Sequence, residues 1–311
     1  MRVTGNAFAQ SLLQQVHLLT SRQYRLQNQV ATGQRIQNPE DDPAAMQRAL
    51  GLQAETATLQ QYRANLDTLK ERAQVTFDAL KALKRVSDRA TELATLADGT
   101  RSRDELRIYA AEVTQLIHQA VQILNQKHRG AHLFGGTRTD QPPFMLTADT
   151  DGRVTSVTYQ GNADVALTPI DQGVTFGLDI PGANLTGTGP RGLVSDTRTN
   201  ADLFAHLIAL QDRLLAGDTN AIAQTVRPAL LQDEENLLYH IGNQGALQTR
   251  IETAISLADK RLLALDQAVS REVDADLADT LVRLNQIQYA YQAALQSGAG
   301  ILRLSLLDFL R

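Results

Sequence analysis

Cysteine is absent from the 311 residues, which excludes a disulfide framework, a thiolate nucleophile and a cysteine-based metal site. A chain without thiols also cannot be trapped by oxidation if it is moved unfolded between compartments. Tryptophan is absent as well, and aromatics make up only 5% of the chain. Leu, Ala and Gln fill the apolar and amide positions instead, which favours long helices over a compact aromatic-rich core. The net charge is only −4, so there is no basic footprint for nucleic acid. No run approaches the roughly eighteen apolar residues that a membrane-spanning helix needs. The opening residues have neither a continuous apolar stretch nor a small-residue cleavage pattern, so no cleaved secretory signal is expected.

Charge itself is missing from two stretches, one near each end. Residues 3–21 carry none apart from what His17 contributes, and residues 284–302 carry none at all. Near the C-terminus, Leu277, Leu281, Leu284, Gln288, Tyr291, Leu295, Gly298, Leu302, Ser305 and Phe309 alternate spacings of four and three, and Leu306 lies beside them. That period of 3.5 is a coiled-coil seam. Near the N-terminus, Phe8, Leu12, Val16, Leu19, Gln23, Leu26 and Val30 repeat it, and Gly33 is a natural left-handed stop. Helices this apolar need partner helices. They are either two ordinary coiled-coil segments or a pair that packs together and then into something larger.

Between these ends the chain divides in order. Residues 1–42 hold the N-terminal helix and a turn-rich break, in which Asn38-Pro39 forces extended backbone. Asp42 then caps a helix whose first residue is Pro43, with Asp41 and Asp42 at its positive end. Residues 43–136 read as rod helices. One spans 43–97 with Leu66, Leu69, Ala73, Thr76, Leu80, Leu83, Ala90 and Leu93 on its seam, a length of about 80 Å. Ser102 and Glu105 form a capping box for the next, and the short turn makes the two antiparallel neighbours. Residues 137–199 are dense in Gly, Pro, Thr and Val. Strands are expected at 155–159, 165–167 and 174–176, with a hairpin turn at Asp151-Gly152. Residues 200–270 return to helix, where Gly242 and Gly245 are expected to break or bend the long segment, and 271–311 form the C-terminal helix. The fold class is mainly α: a long coiled-coil-like helical rod from the N- and C-terminal segments, with a small β-rich inserted domain.

Three patterns imitate chemical sites. Gly187, Gly189 and Gly192 match G-x-G-x-x-G, but Pro190 intervenes and no helix opens on them. His128 and His132 are four apart with Gly130 between them and no carboxylate nearby, so loop histidines are the better reading. Asp149, Asp151 and Gly152 resemble the start of a calcium loop whose later ligands are missing. Asp41 and Asp42 could suggest a metal, yet capping accounts for both. No nucleophile, base and orienter converge, so neither catalysis nor a cofactor is expected.

Particular words nevertheless match a family. Ala31-Thr32-Gly33-Gln34-Arg35-Ile36 followed by Asp41-Asp42-Pro43-Ala44 resembles the helix-end segment of bacterial flagellins and the hook-associated junction proteins. Asn125, Gly130, the run Leu133-Phe134-Gly135-Gly136-Thr137 and Pro143-Phe144 resemble the element after the second long helix in the junction type. Tyr159-Gln160-Gly161-Asn162 is similar to the start of its β domain, and Ser305-Leu306-Leu307-Asp308-Phe309-Leu310 to its C-terminus.

The resemblance implies a structural subunit between hook and filament, exported unfolded by the flagellar type III apparatus to the extracellular flagellum. Its implied partners are other copies of itself, the adjacent hook-associated junction protein, flagellin, and an export chaperone at the C-terminal helix. Phe8, Leu12, Val16, Leu19, Leu26 and Val30 would form one assembly face. Leu277, Leu281, Leu284, Tyr291, Leu295, Leu302, Leu306 and Phe309 would form the other. Gly33, Asp41, Asp42 and Pro43 make the family turn. A filament flagellin would share the terminal signatures. A soluble coiled-coil adaptor or secretion-tip protein would use the same heptads to bind one partner.

Overall fold

The computed structural model describes the backbone of residues 3–309 and the side chains of residues 10–300. Among the described residues seven α-helices are formed: α1 (Val3–Thr32), α2 (Pro43–Leu96), α3 (Arg103–Leu124), α4 (Leu203–Ala216), the single turn α5 (Thr219–Ala221), α6 (Arg227–Val273) and α7 (Leu277–Phe309). The chain forms two compact units, residues 59–259 and the remainder from both ends.

In the unit of residues 59–259, the core lies among α2, α3, α4 and α6. Every position expected on the α2 seam from Leu66 to Leu93 is buried. The Ser102 hydroxyl accepts from Glu105 N while Glu105 Oε2 accepts from Ser102 N at 2.8 Å, which completes the capping box of α3. The turn folds α3 back on α2, where the Arg89 guanidinium grips Glu112 through Nε at 2.5 Å and Nη2 at 3.1 Å. On α4, Leu203, Leu207, Leu210 and Leu214 are all buried. A short π-helical segment, Ile222–Val226, leads into α6.

Gly242 and Gly245 do not break α6, which runs unbroken through both. A glycine costs a helix interior only about 1 kcal/mol relative to alanine, and the buried residues Leu237, His240, Gln244 and Ile251 hold the helix through this stretch. The helix ends instead at residues 274–276.

Strand pairing runs from residue 127 to residue 202. β1 (Lys127–His128) and β2 (Ala131–His132) form a tight hairpin, and β3 (Phe144–Ala148) pairs antiparallel with β4 (Val154–Tyr159) across the expected turn. β5 (Leu167–Asp171) pairs with β6 (Val174–Gly177). The strand expected at 165–167 thus begins only at its last residue and continues through Pro169. β7 (Ala183–Asn184) lies parallel to β8 (Ser195–Asp196), which pairs antiparallel with β9 (Ala201–Asp202).

The insert is tied to the helices through main-chain groups. Asn125, which caps α3, donates Nδ2–H to Phe144 O at 2.8 Å and accepts from Phe144 N at 2.9 Å. Its amide therefore acts as one more rung of a sheet. The Tyr159 hydroxyl donates to Phe134 O at 3.0 Å, and burial pushes the phenol up to about 12. Asn162 closes the same knot by donating its backbone N–H to Gly135 O and accepting Thr137 N–H. A Cβ on Gly136 would collide with Asn162, and one on Gly161 with Tyr159. These glycines are there for close approach.

Asp233, Asn236, His240 and Gln244, all buried, form a polar line along α6. Asn236 Nδ2 donates to Gly192 O and Leu193 O, His240 Nε2 meets Gly192 O at 3.1 Å, and Gln244 Nε2 donates to Ala73 O. Asp233 accepts Asp202 N–H and lies 2.7 Å from His206 Nδ1. The buried imidazole of His240 is pushed down to about 4, because burial penalises its charged form.

Candidate assembly interface

The other unit holds α1, α7, the start of α2 and the end of α6. α1 and α7 pack antiparallel: Leu12 lies against Gly298 at one end, while the Gly33 carbonyl accepts from Ala275 N at the other. Leu12, Val16, Leu19, Gln23, Leu26 and Val30 are all half-buried, and so trace the seam of α1. On α7 the covered positions are Thr280, Leu284, Ile287, Gln288, Tyr291, Ala294 and Gly298. Leu284, Gln288, Tyr291 and Gly298 are shared with the heptad read from sequence. Thr280 and Ala294 are covered in place of Leu281 and Leu295, one residue earlier than that heptad placed them.

Leu277, Leu281 and Leu295 consequently remain 46% exposed. The side chains of Phe8, Leu302, Leu306 and Phe309 lie outside the described residues. Exposed apolar groups off the seam add to this surface: Leu13, Leu18 and Tyr24 on α1, and Val282 and Tyr289 on α7, the last 72% exposed. Heptad reading misses them because they fall on the outer helix faces. For Leu13, Leu18 and Tyr289 the signal in the sequence is the missing charge around them. Two helices joined along one seam still present apolar surface on their outer faces.

Both helices issue from one joint. Gly33 sits in the left-handed region at φ 72° and its N–H reaches Gln29 O at 2.9 Å, stopping α1. Beyond it, Arg35 N donates to Val273 O at 2.7 Å and Ala275 N to Gly33 O at 2.8 Å, so Gln34 and Asp274 form an antiparallel bridge. Arg35 Nη2 also donates to Glu272 O at 2.9 Å, and Arg48 grips the Glu272 carboxylate with Nε and Nη2. Asp276 then caps α7, accepting from Ala278 N at 2.9 Å.

The two adjacent acids of the turn have separate tasks. Asp41 Oδ2 accepts from Gln37 N and Asn38 N, each at 3.1 Å, and its other oxygen pairs with Arg25 at 2.9 Å. Those backbone donors, Asn38 first, hold its carboxyl below the usual range. Asp42 Oδ1 accepts from Ala45 N at 3.0 Å as the cap of α2, and that bond lowers its carboxyl too. Glu272, Arg48 and Val273 carry no mark in the sequence that would announce the joint. Asp276, a helix cap directly after the break, was the one available clue.

The imitative motifs have structural uses. Asp149 Oδ1 accepts from Asp151 N and Arg153 N in the hairpin turn. His128 and His132 sit on the β1–β2 hairpin, and no helix opens on Gly187 or Gly189. Among the described residues no group of three His, Cys, Asp or Glu stands where it could hold a metal. No described helix is long and apolar enough to cross a membrane.

Known proteins share much of this sequence and fold. The profile of the bacterial flagellin N-terminal helical region matches residues 3–139. Flagellar hook-associated protein 3 of Escherichia coli is 25% identical over 294 residues, covering 89% of this chain and 90% of that protein. Flagellin C of Rhizobium meliloti is 21% identical, with 95% and 94% covered. Among solved structures, FlgL of Xanthomonas campestris shares the fold with a TM-score of 0.58 at 17% identity, covering 70% of this chain and 99% of that one. FlgL of Bacillus cereus gives 0.55 at 19%, with 71% and 99% covered. The chain carries a bacterial flagellin N-terminal helical region over residues 3–139 and is similar along nearly its whole length to hook-associated protein 3.

Proposed function

We propose that the chain is a structural subunit of the bacterial flagellum, forming the junction between hook and filament and assembling through its terminal helices. The observation that carries this reading is the apolar surface left on the α1–α7 pair, with Leu281, Leu295 and Tyr289 among its members. Covering such surface is worth about 25 cal/mol per Å², which offsets the cost of ordering the helices on assembly. In a packed tube an unpaired charge is expensive, which accounts for the amides and hydroxyls at the polar positions. The partners are further copies of itself, the adjacent hook-associated protein and flagellin. A chaperone covering the C-terminal helix before export fits the same surface.

Deletion of the gene tests the assignment. Hooks without filaments, with flagellin lost to the medium, are expected. Short or missing filaments without that loss would instead make the chain a filament flagellin. A purified monomer whose ends are ordered and protease-resistant, and which gains no helix on assembly, would point to a coiled-coil adaptor.

A further inference from the structure

A cleft of about 560 Å³ opens between α1 and α7 beside the joint. Arg22, Arg25, Arg35 and Arg283 line it against Asp276 and Asp279. Three of these arginines are already engaged. Arg25 pairs with Asp41 at 2.9 Å, Arg283 with Asp279 at 2.8 Å, and Arg35 donates to the Glu272 carbonyl. Arg22 has no partner among the described residues. Leu26 and Ile287 supply an apolar floor. Leu18, 52% exposed, lies one turn from Arg22 on the same helix face. The cleft is therefore built for a carboxylate carried on an apolar neighbour, rather than for a free anion.

The same unit carries such a group beside the cleft. In the turn before α2, Asp41 and Asp42 are engaged, whereas Glu40 is exposed, follows Pro39, and has no partner among the described residues. A side chain at a turn can enter a cleft between two helices. A mid-helix carboxylate such as that of Glu55 would bring its whole helix against the rims.

We propose that the turn bearing Pro39 and Glu40 of one copy docks in the Arg22 cleft of the next, pairing the Glu40 carboxylate with the Arg22 guanidinium. On one subunit the turn flanks the cleft, because Asp41 pairs with Arg25 of its lining, and this leaves Glu40 and Arg22 unpaired there for a second copy. The proposal rests on the reading of the chain as a self-assembling flagellar subunit, and it names the surfaces that meet.

The test is incorporation of full-length variants into flagella sheared from cells lacking the native gene. R22E and E40R are each expected to lower incorporation by about tenfold, equivalent to a loss of about 1.4 kcal/mol. The R22E/E40R double variant, and co-expression of the two single variants, should restore it. Because the chain has no cysteine, R22C and E40C expressed together should yield a disulfide between copies in isolated flagella. R22Q, with helix content checked by circular dichroism, guards against a folding defect. Wild-type incorporation of R22E, or a double variant no better than the singles, overturns this contact and leaves the assembly reading standing. Absence of the wild-type chain from flagella overturns both.

Discussion

Leu12 of α1 fills the notch that Gly298 leaves in α7, and a Cβ on residue 298 would fall inside contact distance of the leucine side chain. The absent side chain is what lets the two helices close at that point. Gly298→Val is expected to force them apart, at the cost of about 1–3 kcal/mol typical of overpacking. Limited proteolysis should then cut α1 near Arg22 and Arg25 faster than in the wild type. Combining it with Leu12→Ala should recover much of the protection.

Asn125 supplies both a donor and an acceptor to Phe144. Asn125→Ala leaves a buried N–H and C=O without partners and should destabilise the unit by about 1–3 kcal/mol. Asn125→Asp keeps the acceptor alone and should fall between. Urea unfolding of the three proteins measures the series.

Acid should loosen the attachment of the insert to α6. His240 is neutral in the fold and titrates at about 4 rather than near 6.5. A histidine held low contributes stability above its unfolded pKa, and that stability is lost as pH falls from 6.5 toward 4. The loss is roughly 3 kcal/mol. His206 works in the opposite sense, raised by the bond to Asp233, so its contribution is full below 6.5 and fades as pH rises through its folded value. Thermal unfolding of His240→Gln should show a flatter profile between pH 6.5 and 4 than the wild type.

Charge on the exposed seam should separate assembly from folding. Leu281→Glu and Leu295→Glu alter side chains already 46% exposed. Each should change monomer stability by less than about 0.5 kcal/mol and still abolish motility. Leu284→Glu, at a half-buried position, should harm both. Wild-type swarming by the first two variants would remove the terminal helices from the interface.

The helical layout was legible because burial follows period. The α2 seam, the α1 seam and the capping box of α3 all lie where spacing puts them. The α7 seam was half legible: Leu284, Gln288, Tyr291 and Gly298 are covered, but Thr280 and Ala294 displace Leu281 and Leu295. Leucine could not mark the buried face there, since the outer face is apolar too. The polar line of Asp233, Asn236, His240 and Gln244 was invisible for the opposite reason. These residues look like a solvated face, and only the approach of the Gly192 and Ala73 carbonyls makes them interior. The joint at Gln34 and Asp274 was equally hidden, because backbone hydrogen bonds between residues 240 apart leave no pattern in side-chain identity.

That bridge has a topological effect. It fastens the chain to itself, so the stretch between the two residues behaves as a closed circuit, with α1 and α7 as two tails leaving a common knot. Lengthening the circuit within the insert, for instance at the exposed turn containing Gly173, costs little, since doubling a flexible loop adds only about 0.6 kcal/mol. The insert can grow or shrink without shifting where the tails depart.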